Sequence, residues 1–187
     1  NQTVGQRTAS SGFKEAGVYV NGTVATGIGG GICQVSSTLY NAVLRANLDI
    51  VDRSNHEFLV GYVPIGTDAT VSWGSPDFKF KNSRTYPIKI SATTSGKNIY
   101  IKIWGLHEST EYDVEIVSYK TATIAYKTTY TKDSSLGAGR TKVVQAGSNG
   151  AKSETYRVLK LNGEVVSKTL ISRDTYSPHN QIIAQGQ

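Results

Sequence analysis

The residue best suited to covalent chemistry is Cys33, the only cysteine among 187 residues. It follows three consecutive glycines and immediately precedes the one strong helical pattern, which we predict over residues 34–46. At a helix N-terminus, unpaired backbone N–H groups and the helix dipole favour negative charge, and this lowers a thiol pKa from about 8.5. We therefore predict a thiolate nucleophile at Cys33, with the backbone N–H groups near Ile32 and Cys33 as oxyanion donors.

A lone cysteine is also commonly a small buried hydrophobic residue, and this alternative stays open at this point. The apolar residues Val35, Leu39 and Val43 recur every four positions and predict the core-facing stripe of the helix. Cys33 precedes Val35 by two residues, which places it about 200° away around a helix. The thiol is therefore not part of that stripe, and this favours a functional role.

A cysteine nucleophile needs a base and usually a third group that orients the base. The chain has three histidines, of which His56 comes soon after the helix, while His107 and His179 lie at the domain junction and near the C-terminus. We predict His56 as the base and Asp68, on the strand expected after the next turn, as its orienting partner. A surface histidine and a turn-capping aspartate are the structural alternatives. Arg53 could bind a substrate carboxylate or form a surface salt bridge.

Composition and motif spacing argue against several other classes of protein. The net charge of +6 is spread along the chain without a basic run interleaved with aromatics, so we predict no nucleic-acid partner. The glycines match neither dinucleotide nor P-loop spacing, and one cysteine with scattered histidines gives no zinc-ligand pattern. We therefore predict no cofactor and no metal. No apolar run is long enough to span a membrane, so membrane attachment would need a segment absent from this chain.

The hydrophobic pattern predicts two domains. Residues 1–108 are expected to form an α+β domain with one main helix packed on an antiparallel sheet, followed over 109–187 by an elongated all-β module. The turn residues Asn21-Gly22 and Asn162-Gly163 each predict a hairpin. The second module has no helical period, and we expect no catalytic residues in it. The N-terminal strands, apart from the first hairpin, are predicted at 48–51, 58–63, 69–73, 87–91 and 99–103.

Several segments carry a resemblance to known families. They are Gly29-Gly-Gly-Ile-Cys-Gln-Val-Ser-Ser-Thr-Leu-Tyr-Asn-Ala42, Arg53-x-x-His56, Tyr62-Val-Pro-x-Gly-x-Asp-Ala69 and Asp77-Phe-Lys-Phe-Lys-Asn82. Together they closely resemble the VanW family over about residues 1–105. Residues from about 110 to 187, ending in Asn180-Gln-Ile-Ile-Ala-Gln-Gly186, resemble the five-glycine (G5) domain of Gram-positive surface proteins, a β-only module.

The VanW resemblance implies peptidoglycan L,D-transpeptidation through the cysteine. Cys33 would attack the carbonyl of the third residue of a tetrapeptide stem and expel the terminal D-alanine. A side-chain amine on a neighbouring stem would then resolve the thioester and give a 3-3 cross-link. Arg53, His56 and Asp68 also fall on the family motif, although their roles are our inference. As substrate contacts we predict Arg53, Gly30, Gly31, Gln34, Ser36 and Tyr62.

The two resemblances together imply an extracellular protein of a Gram-positive bacterium, held in the cell wall or anchored on the outer face of the membrane. Stem peptides and wall glycan are its expected partners. The chain begins at Asn1 and contains no methionine, so we expect a processed or truncated fragment. Two alternatives stay open: a cysteine endopeptidase or amidase in which water replaces the amine, and a non-catalytic protein that only binds glycan or stem peptide.

Overall fold

The computed structural model describes residues 1–20 and 23–187, so the predicted Asn21-Gly22 turn lies outside the described residues. None of the helical structure in these residues is long and apolar enough to cross a membrane. The described chain contains one α-helix, α1 (Ile32–Arg45). The strands are β1 (Glu15–Val20), β2 (Thr23–Ile28), β3 (Asp49–Asp52), β4 (Lys79–Lys81), β5 (Lys89–Ser95), β6 (Asn98–Trp104), β7 (Asp113–Ile124), β8 (Thr128–Lys132), β9 (Thr141–Gln145), β10 (Gly150–Leu161), β11 (Glu164–Tyr176) and β12 (Gln181–Gln185).

The ends of α1 follow from the residues around it. Gly31 precedes the helix with a φ of 90°, a left-handed conformation that a residue with a side chain rarely adopts. At the other end Asn47 has a φ of 55°, a left-handed conformation that asparagine tolerates better than most residues. The N–H of Leu48 donates to the carbonyl of Val43 at 3.2 Å, so a Schellman-type turn closes the helix.

The buried face of α1 differs from the predicted stripe. Val35 is 39% exposed and Leu39 is only partly buried, whereas Ser36 and Ser37 are buried. Both serine hydroxyls donate to the carbonyl of Ala69, at 2.5 and 3.4 Å. The segment around Ala69, which is not in a strand, therefore covers this face and supplies a backbone acceptor to it. The buried side chains of the helix are Ser36, Ser37, Tyr40, Val43 and Leu44. Since positions 33, 37, 40 and 44 share one helix face, Cys33 lies at the N-terminal end of the covered face.

The N-terminal strands form three separate antiparallel pairs, β1–β2, β3–β4 and β5–β6. A single sheet beneath the helix, as predicted from the sequence, is therefore not confirmed. The predicted strands at 58–63 and 69–73 do not form; the second region contributes only an isolated bridge between Ser54 and Thr70. For the second region the physical reason is that backbone groups of Thr67, Ala69 and Val71 bond to side chains of α1 instead of to a neighbouring strand.

Among the described residues of the C-terminal half, the regular secondary structure consists of strands alone. β7, β10 and β11 form an antiparallel sheet in the order β11–β10–β7. In the second sheet β12 pairs with β9 antiparallel and with β8 parallel. Asn162 and Gly163 adopt φ values of 54° and 86° between β10 and β11, which confirms the predicted hairpin.

The two halves are joined by hydrogen bonds around Gly66. The Tyr176 hydroxyl accepts the Gly66 N–H at 2.9 Å, and the Thr155 hydroxyl donates to the Gly66 carbonyl at 3.1 Å. Gly66 has a φ of 78°, and a Cβ on it would collide with the Thr155 hydroxyl. Farther along the junction, Arg157 donates to the Asn47 side chain at 2.6 Å. The C-terminal sheet therefore packs directly behind the segment that carries Asp68.

Candidate active site

Residues 67–71 run along helix α1 and are bonded to it by side chains. The side chains of Asn41, Ser37 and Cys33 donate to the carbonyl oxygens of Thr67, Ala69 and Val71, at 2.7, 3.4 and 3.4 Å. Every second residue of the segment thus contacts every fourth residue of the helix. The segment runs antiparallel to the helix. Asp68 lies between two of these contacts and directs its side chain to the opposite side, toward residues 53–56.

Asp68 holds His56 by two hydrogen bonds to one oxygen. The carboxylate Oδ2 lies 2.6 Å from the His56 ring Nδ1 and accepts the His56 backbone N–H at 2.7 Å. The Ser54–Thr70 bridge sets the register that makes this possible. Because Nδ1–H faces the carboxylate, Nε2 is the ring nitrogen available to interact with the thiol. The Tyr62 hydroxyl lies 3.3 Å from Nε2.

The electrostatics of Cys33 favour the thiolate. Burial alone raises the pKa of the Cys33 thiol, but a hydrogen bond and Coulomb attraction from His56, with smaller contributions from the Val71 backbone and Arg7, lower that pKa below its ordinary value. The thiol is only partly buried. The geometry therefore does not fit a purely structural role for Cys33 deep among aliphatic side chains.

His56 and Asp68 are charged partners of that thiolate. Burial lowers the pKa of His56, but hydrogen bonds with Asp68 and Cys33 outweigh it and raise the pKa to about 9. Burial alone raises the pKa of Asp68, whereas hydrogen bonds from His56 and Tyr176 hold it below its ordinary value. These shifts favour a thiolate at Cys33 beside a His56 imidazolium and an Asp68 carboxylate, the arrangement of a cysteine nucleophile with its orienting pair.

This ion pair predicts the pH dependence of thiol alkylation. In the wild-type chain the rate of Cys33 alkylation by iodoacetamide should already be high at pH 7, because the lowered thiol pKa keeps thiolate present. In His56→Gln the midpoint should rise to about 8.5 or above, since burial then acts without a counter-charge. Cys33 is the single cysteine, so the rate reports one site. Identical midpoints in the two proteins would contradict the ion pair.

The start of the helix offers one backbone donor beside the thiol. The N–H of Ile32 donates to the Gly29 carbonyl at 3.3 Å, and that of Gln34 to the Gly31 carbonyl at 3.0 Å. In the described part of the chain, the Cys33 N–H makes no backbone hydrogen bond of this kind. The oxyanion donor predicted near Ile32 and Cys33 is therefore best placed at Cys33 itself.

Several residues predicted as substrate contacts instead make contacts within the protein. The Arg53 side chain is 5% exposed and is bonded to the Asp174 carboxylate at 2.5 Å and to the Asp68 carbonyl and carboxylate, so it supports Asp68 from behind. The Ser36 hydroxyl is turned to the Ala69 carbonyl. A Cβ on Gly30 would lie 2.6 Å from the Ala16 backbone, which shows that Gly30 is pressed against β1.

Other predicted positions remain near the thiol or at the surface. Gly31 is exposed and Gln34 is partly buried, one on each side of Ile32 and Cys33 in the first helical turn. Tyr62 is 39% exposed and packs edge-on against His56. Of the two other histidines, His107 has a side chain 99% exposed and His179 stacks on Phe58 at 3.8 Å. Neither is part of the cluster around Cys33.

An apolar cleft of about 320 Å³ lies near the N-terminal end of α1, and neither Cys33 nor His56 is among the residues that line it. It is lined by Ile32, which precedes Cys33, and by Val71, whose carbonyl accepts from the thiol. Trp73 and Phe78 form part of its wall, and Arg7 contributes a positive charge. A peptide held in this cleft would lie close to the first turn of α1, which carries Cys33.

The structure also brings in residues that the sequence did not indicate. Tyr176 donates to Asp68 Oδ1 at 2.5 Å, and Asp174 on the same face of β11 bonds Arg53. We expected no catalytic residues in the β module, and the residues that β11 places behind Asp68 are supporting ones that bond Asp68 and Arg53. The alternation of Asp174 and Tyr176 on one strand face was a local signal, but nothing in the sequence showed what that face meets.

A cysteine, histidine and aspartate arranged in this way define a candidate thiol-dependent acyl-transfer site. Residues 1–104 match the VanW-like protein family, and the chain belongs to that family. Residues 115–187 match the G5 domain. These two matches confirm the order of domains expected from the sequence.

Two curated relatives match the N-terminal part. The uncharacterized protein YoaR of Bacillus subtilis is 54% identical over 104 residues, which are 56% of this chain and 34% of that protein. The vancomycin B-type resistance protein VanW of Enterococcus faecalis is 33% identical over 92 residues, 46% of this chain and 34% of that protein. The chain thus spans about a third of the length of these relatives.

Two solved G5 domains resemble the C-terminal part. The IgA1 protease G5 domain is 24% identical, with a TM-score of 0.30, over 42% of this chain and 95% of that one. The HP0197 G5 domain is 23% identical, with a TM-score of 0.25, over 41% of this chain and 100% of that one.

Proposed function

We propose that this chain is a cysteine-dependent L,D-transpeptidase that forms 3-3 cross-links between peptidoglycan stem peptides. The observation that carries the proposal is the cluster of Cys33, His56 and Asp68, in which the charges favour a thiolate beside an imidazolium. The family membership supports a wall substrate and a location at the outer surface of the cell, with the G5 domain as a binding module for surface or wall components.

The first half of the reaction uses the groups as they stand at neutral pH. The Cys33 thiolate attacks the carbonyl carbon of the third stem residue, and the Cys33 N–H stabilises the oxyanion. The His56 imidazolium gives its proton to the departing amine of the terminal D-alanine. The C–N bond breaks, free D-alanine leaves, and a thioester on Cys33 remains with neutral His56.

The second half returns the site to its starting state. A side-chain amine of a neighbouring stem attacks the thioester, and neutral His56 Nε2 takes the amine proton. The C–S bond breaks as the new amide forms, which restores the thiolate and the imidazolium. Water in place of the amine would give hydrolysis by the same steps, so the choice between transferase and hydrolase rests on the acceptor that reaches the cleft.

Arg7 is the cation best placed for the carboxylate of the terminal D-alanine. It lines the cleft, and its charge contributes to the lowered pKa of Cys33. Arg53, in contrast, is buried against two aspartates. In this proposal Arg7 replaces Arg53 as the substrate-carboxylate partner. Arg7→Gln should therefore raise the tetrapeptide concentration needed for half-maximal rate, and an unchanged concentration dependence would remove Arg7 from this role.

The proposal is tested by incubating the chain with purified tetrapeptide muropeptides and analysing the products by mass spectrometry. A dimer joined between third residues, formed together with one free D-alanine per cross-link, is the expected result. Shortened stems without dimers would identify a hydrolase. Unchanged muropeptides that nevertheless bind to the chain would identify a binding protein and overturn the enzymatic proposal.

A further inference from the structure

The candidate site includes a hydrogen-bond network whose outer members come from the C-terminal β module. Asp68 is 1% exposed, and its Oδ2 is occupied by His56. Its Oδ1 accepts from the Tyr176 hydroxyl at 2.5 Å and from Arg53 at 3.2 Å. Each oxygen of the carboxylate thus has its own set of donors, and only the donors on Oδ2 belong to the His56 side.

Tyr176 is itself fixed and keeps its proton. It is 1% exposed, and its hydroxyl oxygen accepts the Gly66 N–H at 2.9 Å while its proton goes to Asp68. Burial, together with the Asp68 carboxylate, raises the pKa of Tyr176, so the hydroxyl stays a donor over the physiological range. A donor held in this way restricts rotation of the carboxylate about its χ2 angle.

Arg53 adds a second link from the same strand. Its Nη1 donates to Asp174 at 2.5 Å while its Nε donates to the Asp68 carbonyl at 2.6 Å. Asp174 and Tyr176 are two residues apart on β11 and face the same side, so one strand holds both the carboxylate and the backbone of Asp68.

We propose that the C-terminal β module completes the active site, with Tyr176 as a positioning residue that holds the Asp68 carboxylate in line with His56. This deepens the proposed function and rests on it for the catalytic meaning of the cluster. The module that resembles a wall-binding domain would then also determine whether the thiol is reactive. Binding of wall material to the module and activation of Cys33 would share one structural element, β11.

The test compares Tyr176→Phe with Tyr130→Phe in the full chain, the latter altering a tyrosine that is 65% exposed on β8. We expect the pKa of His56, followed by NMR among only three histidines, to fall by about one unit or more in Tyr176→Phe. The rate of Cys33 alkylation at pH 7 should fall with it. In Tyr130→Phe both values should equal those of the wild type.

Either of two results would overturn the inference: a His56 pKa in Tyr176→Phe that is unchanged, or one that is raised. If Tyr176→Phe does not fold, Asp174→Asn tests the second link from β11, because it alters the acceptor that holds Arg53 without contacting Asp68. An unchanged His56 pKa in that variant would overturn the claim that the β module holds the Asp68 carboxylate in place. Neither measurement uses peptidoglycan. A wild-type chain that forms no cross-link would therefore refute the proposed reaction while leaving this test interpretable.

Discussion

Replacement of Cys33 by alanine is expected to reduce 3-3 cross-link formation by on the order of 10⁴-fold or more, to background, because Cys33 is the only thiol in the chain that could form the acyl intermediate. The measurement is the rate of dimer formation from tetrapeptide muropeptides. The pKa of His56 should fall in the same variant, since the thiolate is one of the groups that raise it.

The loss must be separated from misfolding. Cys33 is only partly buried, and alanine removes only the sulfur with its contacts to His56 and the Val71 carbonyl, so the thermal unfolding midpoint of Cys33→Ala should stay close to that of the wild type. Cys33→Ser keeps the size of the side chain and replaces the thiol by a far less acidic hydroxyl. Turnover undiminished in Cys33→Ala would eliminate covalent catalysis through this residue.

Replacement of Asp68 by asparagine is expected to lower the transfer rate by about 10²–10⁴-fold while leaving the thiol in place. The asparagine cannot hold the His56 ring with Nδ1–H toward a carboxylate, so the pKa of His56 should drop from about 9 toward 6.5. The imidazolium that donates to the departing D-alanine is then largely absent at neutral pH.

Asp52→Asn is the matched control, because Asp52 is a 43% exposed carboxylate paired with Lys79 on β4. It removes the same charge without touching the cluster, and its rate should equal that of the wild type. The kinetics of Asp68→Asn should be compared at equal folded fraction, since Asp68 also bonds Arg53 and Tyr176. A wild-type rate in Asp68→Asn would show that His56 needs no orienting carboxylate.

The part of the site that could be predicted was the part encoded locally or by chain order. Three glycines before a predicted helix indicate Cys33, and Gly31 does precede the helix with a left-handed φ. His56 and Asp68 are predicted partners because a turn between them could bring the two side chains together. They do meet, at 2.6 Å, although the strands assumed for that pairing are not formed.

The part that could not be predicted depends on contacts between distant segments. Tyr176 lies 108 residues after Asp68, and no pattern in β11 indicates what its buried face covers. The buried face of α1 was missed for a related reason: Ser36 and Ser37 resemble solvent-exposed positions until the Ala69 carbonyl lies over them. Buried hydroxyls paired with backbone carbonyls give no hydrophobic signal.

The same limit explains the reassignment of Arg53. An arginine three residues before a catalytic-type histidine is a reasonable carboxylate binder, but here two buried aspartates occupy it. Its charge is used inside the protein, where it helps to keep the pKa of Asp68 low. Arg7, a cation that does line the cleft, lies in a segment whose sequence pattern indicates no functional residue.

The most direct measurement is the intact mass of the protein after incubation with a tetrapeptide stem whose side-chain amine has been acetylated. Such a donor can acylate Cys33 but offers no acceptor amine, so a thioester should accumulate. The account predicts a mass increase equal to the stem minus its terminal D-alanine, located at Cys33 by peptide mapping and absent in Cys33→Ala. Release of D-alanine without any adduct on Cys33, or an adduct on another residue, would contradict it.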